Sequence, residues 1–488
     1  MTLDALNAGL RPGDDTPALI TGRRTLTRGD LAELRDRYAA ALHAHGLRAG
    51  DTLGVAVRPG PRALATLLSA YKIGLRVAVL DPNAGPDVLT ARLALARPRL
   101  IVADAAAQAV ASWAAPLARR AGLALPDLAS LAPTVTVGRR LPGSAPSLEL
   151  VTGTAKTFDG DGDAVVIFTS GTTSSPRAVV HTRSGLSNSL QAVTDLVQPR
   201  PGVPVIGGTF FVMLPTLAAG APAALPARRS LSRQITRLRP QAIYLTPPRL
   251  RAALDAGVRF TGRVYSGSAP VTARLLSRVR EAGADQAWCV YALTEVFPAA
   301  AVEATAKTAF TESGDETGVE TGDLVGDLLP GVRARLDDAG ELHLAGAGVC
   351  ERYLGAEPHE WVATGDLARL DDRRVVLAGR RKDMILRRAE NIYPGLYEPS
   401  LHVPGVSLAV LVGVPAGDGD ETLVALIETG LRADQPAVRA ALREPLDRMG
   451  AARPDHIILT KIPLSGRSQK PDRVAAARLA AGLLGVRE

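Results

Sequence analysis

The chain has 488 residues, too many for one core, so two or three domains are expected. Hydrophobic residues make up 46% and charged residues 22%, the balance of an ordinary globular protein, and the two cysteines, Cys289 and Cys350, exclude a disulfide framework and point to a reducing, cytoplasmic compartment. The net charge of +8 comes from scattered arginines, with no basic tail and no basic run interleaved with aromatics; this argues against nucleic-acid binding and leaves solvated surface, or a mild attraction for anionic substrates.

Met1-Thr-Leu-Asp-Ala-Leu6 has neither a basic start nor an apolar core, so no signal peptide is expected. Thr27 can cap a helix with Asp30 in its first turn. Leu31, Leu34, Tyr38 and Leu42 follow at helical spacing, and Gly46 ends the run. Strands are then predicted over 52–57, 77–80 and 100–103, with helices over 61–73 and 88–96 between them. This alternation predicts a parallel sheet with right-handed crossovers. Ala164–Phe168 reads as a buried strand. The uncharged stretch 201–227 is interrupted by Pro204, Pro215, Pro222 and Pro226, so it reads as a buried strand, loop and helix rather than a membrane span. The strand–helix pattern returns with strands at 242–246 and 263–266 and helices at 249–256 and 271–282. Trp288-Cys-Val290 reads as an apolar turn. From Gly318 the pattern becomes β: 332–336 and 341–345 alternate around Asp337-Asp-Ala-Gly340, a hairpin, and Asp371-Asp372 turns into a strand at 375–378. A domain boundary is placed near Lys382. Strands at 408–414 and 422–428 and a helix over 435–449 form a small α+β unit.

Several segments carry chemistry. Behind the strand ending at Phe168 comes Thr169-Ser-Gly-Thr-Thr173, with Arg177 downstream. Glycine lets backbone N–H groups approach an anion and the hydroxyls add donors, so the run suits a phosphate, although a polar turn is the alternative on these residues alone. It is not a Walker motif. Gly267-Ser-Ala-Pro270 lies at a strand end, where open α/β sheets bind ligands, and reads equally well as a helix-entry turn. Tyr291-Ala-Leu-Thr-Glu295 holds a carboxylate of the kind a nucleotide-bound magnesium ion wants, or a surface glutamate after a strand. Asp366, in Thr364-Gly-Asp366, has the free acceptors a vicinal diol needs. Gly379-Arg380, Lys382-Asp383 and Lys470-Pro-Asp-Arg473 complete the set.

Together these segments resemble the adenylate-forming (ANL) superfamily of acyl-CoA synthetases, adenylation domains and luciferases, over about residues 15 to 475. Thr169–Val179 resembles its T-S-G-T-T-G-x-P-K-G loop, with Ser174, Arg177 and Ala178 at three altered positions. Gly267–Pro270 is similar to G-G-A-P, 291–295 to Y-G-x-T-E with Ala292 for glycine, and 383–394 to D-x-I-x-x-x-G-x-x-I-x-P with Ala389 for glycine and Glu398 as the trailing acid. The segment 462–473 resembles P-x-x-x-x-G-K-x-D-R, with Gln469 for glycine.

The resemblance implies a large α/β domain, 1–380, of two doubly wound subdomains plus a distorted β-barrel, and a small mobile α+β domain, 381–488, that swings at Lys382. It implies ATP bound by Thr169, Ser170, Gly171, Thr172, Thr173 and Arg177 at its outer phosphates. Adenine would lie against Gly267, Ser268, Ala269, Pro270, Tyr291 and Ala292, and the ribose on Asp366 and Arg380. Thr294 would contact the α-phosphate, Glu295 would bind Mg²⁺, and Lys470 would be the catalytic lysine. A solvated loop lysine is the other reading of Lys470; Lys461 comes too early. The implied reaction is activation of a small carboxylic acid as an acyl-adenylate, then acyl transfer to the thiol of CoA or of a carrier-protein pantetheine. An amide-forming, carrier-loading or β-lactone-forming member and a non-catalytic nucleotide-binding relative are the alternatives. The family often has a histidine near the acyl pocket, and this chain has none between His181 and His343. Phe210-Phe-Val-Met213 either fills that region, implying an apolar acyl group, or is core.

Overall fold

The computed structural model describes residues 3–80, 86–111, 127–150, 154–168, 177–227, 230–317, 322–388, 390–417, 420–430, 433–465 and 469–486. A seven-stranded sheet gathers the early strands in the order 352–353, 178–182, 163–168, 76–79, 52–56, 100–104 and 134–137. From Asp163–Phe168 to Thr134–Val137 the neighbours run parallel. All five residues of Thr52–Ala56 are buried, as expected of a central parallel strand covered on both faces. The helix Arg28–Ala44 begins with a reciprocal cap: Thr27 Oγ1 accepts from the Asp30 N–H at 3.0 Å, and Asp30 Oδ2 accepts from the Thr27 N–H at 2.9 Å. Pro61 opens the helix Pro61–Lys72, where its missing N–H costs nothing.

A second sheet of thirteen strands carries the rest of the large domain. Its middle is parallel, with Gln286–Tyr291, Arg263–Gly267, Ala242–Tyr244, Val205–Ile206, Ala223–Ala224 and Pro17–Thr21 side by side. Pro17–Thr21 comes from the chain's beginning, so the N-terminal residues belong to the second sheet and not to the first. Beyond Gln286–Tyr291 the sheet continues antiparallel through 300–303, 323–328, 374–380, 362–371, 341–346 and 332–336. This is the region expected as a distorted barrel, and it packs its own core around Tyr291, Leu342, Leu344 and Val375. The turn expected at Trp288-Cys-Val290 is instead part of the strand Gln286–Tyr291: alternating buried residues fit a pleat, and Cys289 faces the core. The stretch 201–227 forms two short strands around the helix Phe210–Ala218. Among the described residues no helix is long and apolar enough to cross a membrane.

After Arg380 a short 3₁₀ turn, Arg381–Asp383, leads to a three-stranded sheet, Val406–Gly417, Asp420–Thr429 and His456–Leu459. Its two faces are packed by clusters drawn wholly from residues beyond Met384. The single helix expected over 435–449 is two, Gln435–Ala441 and Arg443–Arg448. Pro445 explains the break: it has no N–H to give the Ala441 carbonyl, and its ring crowds that carbonyl. Gly395 sits so close to the strand Arg374–Arg380 that a Cβ there would lie 2.6 Å from Gly379 Cα, so the small unit meets the large sheet backbone to backbone.

Candidate functional site

The carboxyl ends of the second sheet's parallel strands converge with its antiparallel region on Asp366. Gly365, at φ +73°, makes the bend that turns this carboxylate inward. Thr364 Oγ1 accepts from the Asp366 N–H at 3.1 Å and donates to the Leu342 carbonyl at 2.7 Å, so the bend is pinned to the neighbouring strand. The Tyr291 hydroxyl donates to Asp366 Oδ2 at 2.6 Å and Arg380 Nε donates to Oδ1 at 2.7 Å. Burial, then the Asp366 charge, pushes the Tyr291 phenol well above its ordinary value, so it keeps its proton. Asp366 is 3% exposed, yet each of its oxygens retains lone-pair capacity after these two bonds.

Glu295 stands on the turn after Tyr291. Its Oε1 accepts from the Tyr353 hydroxyl at 3.1 Å, and among the described residues its Oε2 makes no hydrogen bond. The Arg177 guanidinium lies 5.6 Å from the centre of the Tyr353 ring, which brings Arg177 to the Glu295 side of the site. The backbone of this turn is also held. Cys350 N–H donates to the Glu295 carbonyl at 2.8 Å, and His181 Nε2 is 2.8 Å from the Thr294 carbonyl. A carbonyl only accepts, so Nε2 carries the proton. His181 Nδ1 is buried without a partner, and burial holds the imidazole below its ordinary pKa, in the neutral form. Burial, then the Glu295 charge, pushes the Cys350 thiol up to about 12, which keeps it protonated.

At the end of the strand Arg263–Gly267, a Cβ on Gly267 would lie 2.5 Å from the Val290 carbonyl oxygen, so this position takes glycine only. Ser268 follows at φ +69°, the left-handed region, and its hydroxyl is 2.9 Å from the Tyr244 hydroxyl. Ala269 is half-buried and Pro270 exposed. Ala292 packs against the core of the first sheet, at the seam between the two sheets.

The small unit contributes a hairpin, Leu464–Ser465 with Lys470–Pro471, in which Ser465 pairs with Lys470. Gln469, where the family pattern has glycine, adopts φ +53°. Lys470 remains open to solvent, but its ammonium is held below the ordinary lysine value. The causes are lost hydration inside the cleft and the positive charge of Arg380, opposed by Asp366 and Glu295. Lys470 thus shares one field with the residues around Asp366. Arg473 anchors the hairpin's exit: it reaches Glu398 through Nη1 and Nη2 at 2.8 Å each, the Leu411 carbonyl at 2.9 Å and Asp383 at 3.0 Å. Lys382, next to that anchor, is exposed.

The structure therefore brings Tyr291, Asp366, Arg380, Glu295 and Lys470 to one cleft. The predicted Thr169, Ser170, Gly171, Thr172 and Thr173 lie outside the described residues, as does Ala389. The strands flanking that loop, Asp163–Phe168 and Ala178–Thr182, pair antiparallel with Phe168 opposite Ala178. Sequence reasoning missed Tyr353, His181 and Tyr244. Tyr353 and His181 had no local signal, being joined to Glu295 and Thr294 only by the fold. Tyr244 carried one, an aromatic hydroxyl near the end of a parallel strand.

Known proteins resemble the chain in sequence and in fold. The chain is 27% identical over 521 residues to the probable non-canonical nonribosomal peptide synthetase CymA of Salinispora arenicola; the match takes in 94% of this chain and 6% of CymA. It is 27% identical over 479 residues to an olefin beta-lactone synthetase of Stenotrophomonas maltophilia, covering 86% of this chain and 84% of that one. The amide bond synthetase McbA of Marinactinospora thermotolerans shares the fold, with a TM-score of 0.78, 22% identity and coverage of 98% and 99%. The model of the AMP-binding enzyme family matches residues 7–354, and the chain belongs to that family of adenylate-forming ligases.

Proposed function

We propose that the protein couples ATP to a carboxylic acid, forming an acyl-adenylate with release of pyrophosphate, and then passes the acyl group to the thiol of CoA or of a carrier-protein pantetheine, with AMP as the leaving group. The observation that carries this reading is the placement of Lys470, on the small unit's hairpin, in the field of Asp366, Arg380 and Glu295 on the large one. ATP would lie along the carboxyl ends of the second sheet. Asp366, already holding Tyr291 and Arg380, uses its remaining lone pairs for the two ribose hydroxyls, and Arg380 also reaches the ribose. The backbone of Gly267–Pro270, with Tyr291 and Ala292, flanks the adenine. Thr294 meets the α-phosphate, while Thr169–Thr173 and Arg177 hold the outer phosphates. Glu295 would hold a Mg²⁺ ion carried by the nucleotide, a hard cation that suits a carboxylate, and the ion would supply positive charge for the pyrophosphate leaving group. A carboxylate oxygen of the acid attacks the α-phosphorus, the bond to the bridging oxygen breaks, and pyrophosphate leaves. Lys470 stabilises the charge that builds between carboxylate and α-phosphate; such a transfer needs positioning and charge more than covalent help. The unit 381–488 then turns at Lys382, withdrawing Lys470 and presenting 383–394 to the acceptor.

A second acceptor chemistry, amide or β-lactone formation, is favoured by the likeness to McbA and to the olefin beta-lactone synthetase. Carboxylate-dependent ATP–pyrophosphate exchange over fatty, aryl and amino acids tests the common first step. Exchange with one acid class, falling about 100- to 1,000-fold in Lys470→Ala, is the expected result. Exchange untouched by Lys470→Ala would remove the lysine from the mechanism. Product mass with CoA or with an amine then distinguishes the acceptors.

A further inference from the structure

The face of the second sheet turned towards the helices Arg183–Val197 and Phe210–Ala218 carries Tyr244, Tyr265, Trp288 and Val290, packed with Leu196 and Val212. Gly267, level with Val290 in the ladder, adds no side chain to that face. Phe210-Phe-Val-Met213 opens the second of these helices; Val212 packs with Tyr244 on this face, while Phe210, Phe211 and Met213 turn into the core of the first sheet, with Phe211 against Phe297. Into this apolar setting the chain places two hydroxyls. Tyr244 is half-buried and its hydroxyl meets that of Ser268 at 2.9 Å. Ser268 holds its hydroxyl there from a left-handed backbone, φ +69°, a conformation that a glycine adopts freely and a serine does not. Strained residues of this kind gather where geometry serves binding. Both hydroxyls stand at the carboxyl ends of adjacent parallel strands, where open α/β sheets receive ligands.

We infer that the Tyr244–Ser268 pair is the polar end of the acyl pocket and selects a carboxylic acid whose largely apolar body bears a hydroxyl group remote from the carboxylate. The inference rests on the adenylation reading above. Bonded to each other, the two hydroxyls keep one donor and several lone pairs for a third hydroxyl. An acid with that hydroxyl completes the network. An acid without it presses apolar surface on the pair and leaves those groups unsatisfied, a loss worth about five- to a hundredfold in kcat/KM.

The test is pyrophosphate exchange with matched acids, cinnamate against 4-hydroxycinnamate and decanoate against hydroxydecanoates, on the parent, Tyr244→Phe and Ser268→Gly. Ser268→Gly removes the hydroxyl while relieving the backbone, so a folding failure does not obscure the result. The expected outcome is a parent that prefers one hydroxylated member of a pair about five- to a hundredfold, with the ratio falling towards one in both variants. A parent with no such preference overturns the inference. So does a ratio that survives in the variants, whatever becomes of the KM for ATP. Exchange with none of the acids in any class, with ATP still bound, overturns the adenylation reading itself, and this one with it.

Discussion

Asp366 and Lys470 bring opposite charges to one cleft, and the protein holds them in opposite ways. Asp366 is buried on a strand of the large sheet, with both oxygens bonded to Tyr291 and Arg380 and its own N–H bonded to Thr364. Lys470 is exposed on a two-residue arm of a hairpin, and its side chain makes no hydrogen bond or ion pair to a described residue; it is coupled to the cleft by the lost hydration of its ammonium and by charge. The first is preorganised before any ligand arrives. The second is delivered by a unit whose core is separate, and its position depends on what anchors that unit.

Asp366→Ala should break the comparison most severely. It leaves the Tyr291 hydroxyl buried without its acceptor and removes the partner of Arg380, whose side chain is 41% exposed and keeps its hydration. A stability loss of about 2 kcal/mol is expected, most of it from the tyrosine, together with a large rise in the KM for ATP. Urea unfolding and ATP titration measure both; a variant as stable as the parent would mean the bonds to Asp366 contribute nothing net. Lys470→Ala, by contrast, should change stability by less than about 0.5 kcal/mol while exchange collapses, because the lysine is exposed and its side chain makes no hydrogen bond or ion pair to a described residue.

Arg473→Met sharpens the contrast from the other side. The arginine's bonds to Glu398 and Asp383 are largely buried, and removing it strands two carboxylates at a cost of about 3 kcal/mol, borne by the small unit. Exchange should fall about tenfold even though Lys470 is intact. A full rate in a destabilised variant would show that the hairpin finds its place without the anchor.

The smallest expected effect is on pH dependence. Lys470 must carry its proton to stabilise negative charge, so exchange should decline as pH rises through its lowered pKa, before the ordinary lysine value of about 10.4. Tyr291 is pushed the other way and keeps its proton across that range, so the limb belongs to the lysine. A pH–rate profile flat to pH 10 would count against the field described around Lys470.

How much of this could be read beforehand divides along the same line. Thr364-Gly-Asp366, Gly379-Arg380 and Lys470-Pro-Asp-Arg473 are short local patterns, and the structure places each at the cleft. The bonds that join them cross long stretches of chain: Tyr291 to Asp366, Tyr353 to Glu295, His181 to the Thr294 carbonyl. No periodicity or spacing encodes such partners. Element types followed from apolar patterning through most of the large domain. The failures have local causes. Pro445 was available to divide 435–449 but was outweighed by the helical run around it. Trp288-Cys-Val290, aromatic and β-branched around a cysteine, has the composition of a strand, and three residues are too few for their alternation to separate a strand from a turn.

The strand Pro17–Thr21 bears on how this chain can be recombined with its relatives. It lies between Ala223–Ala224 and Arg24–Thr27 in the second sheet, while the next strand along the chain, Thr52–Ala56, belongs to the first. An exchange of the N-terminal two hundred residues therefore also replaces part of the sheet that carries Asp366 and Tyr244. Exchanges that carry residues 17–27 together with 205–380 keep that sheet of single parentage.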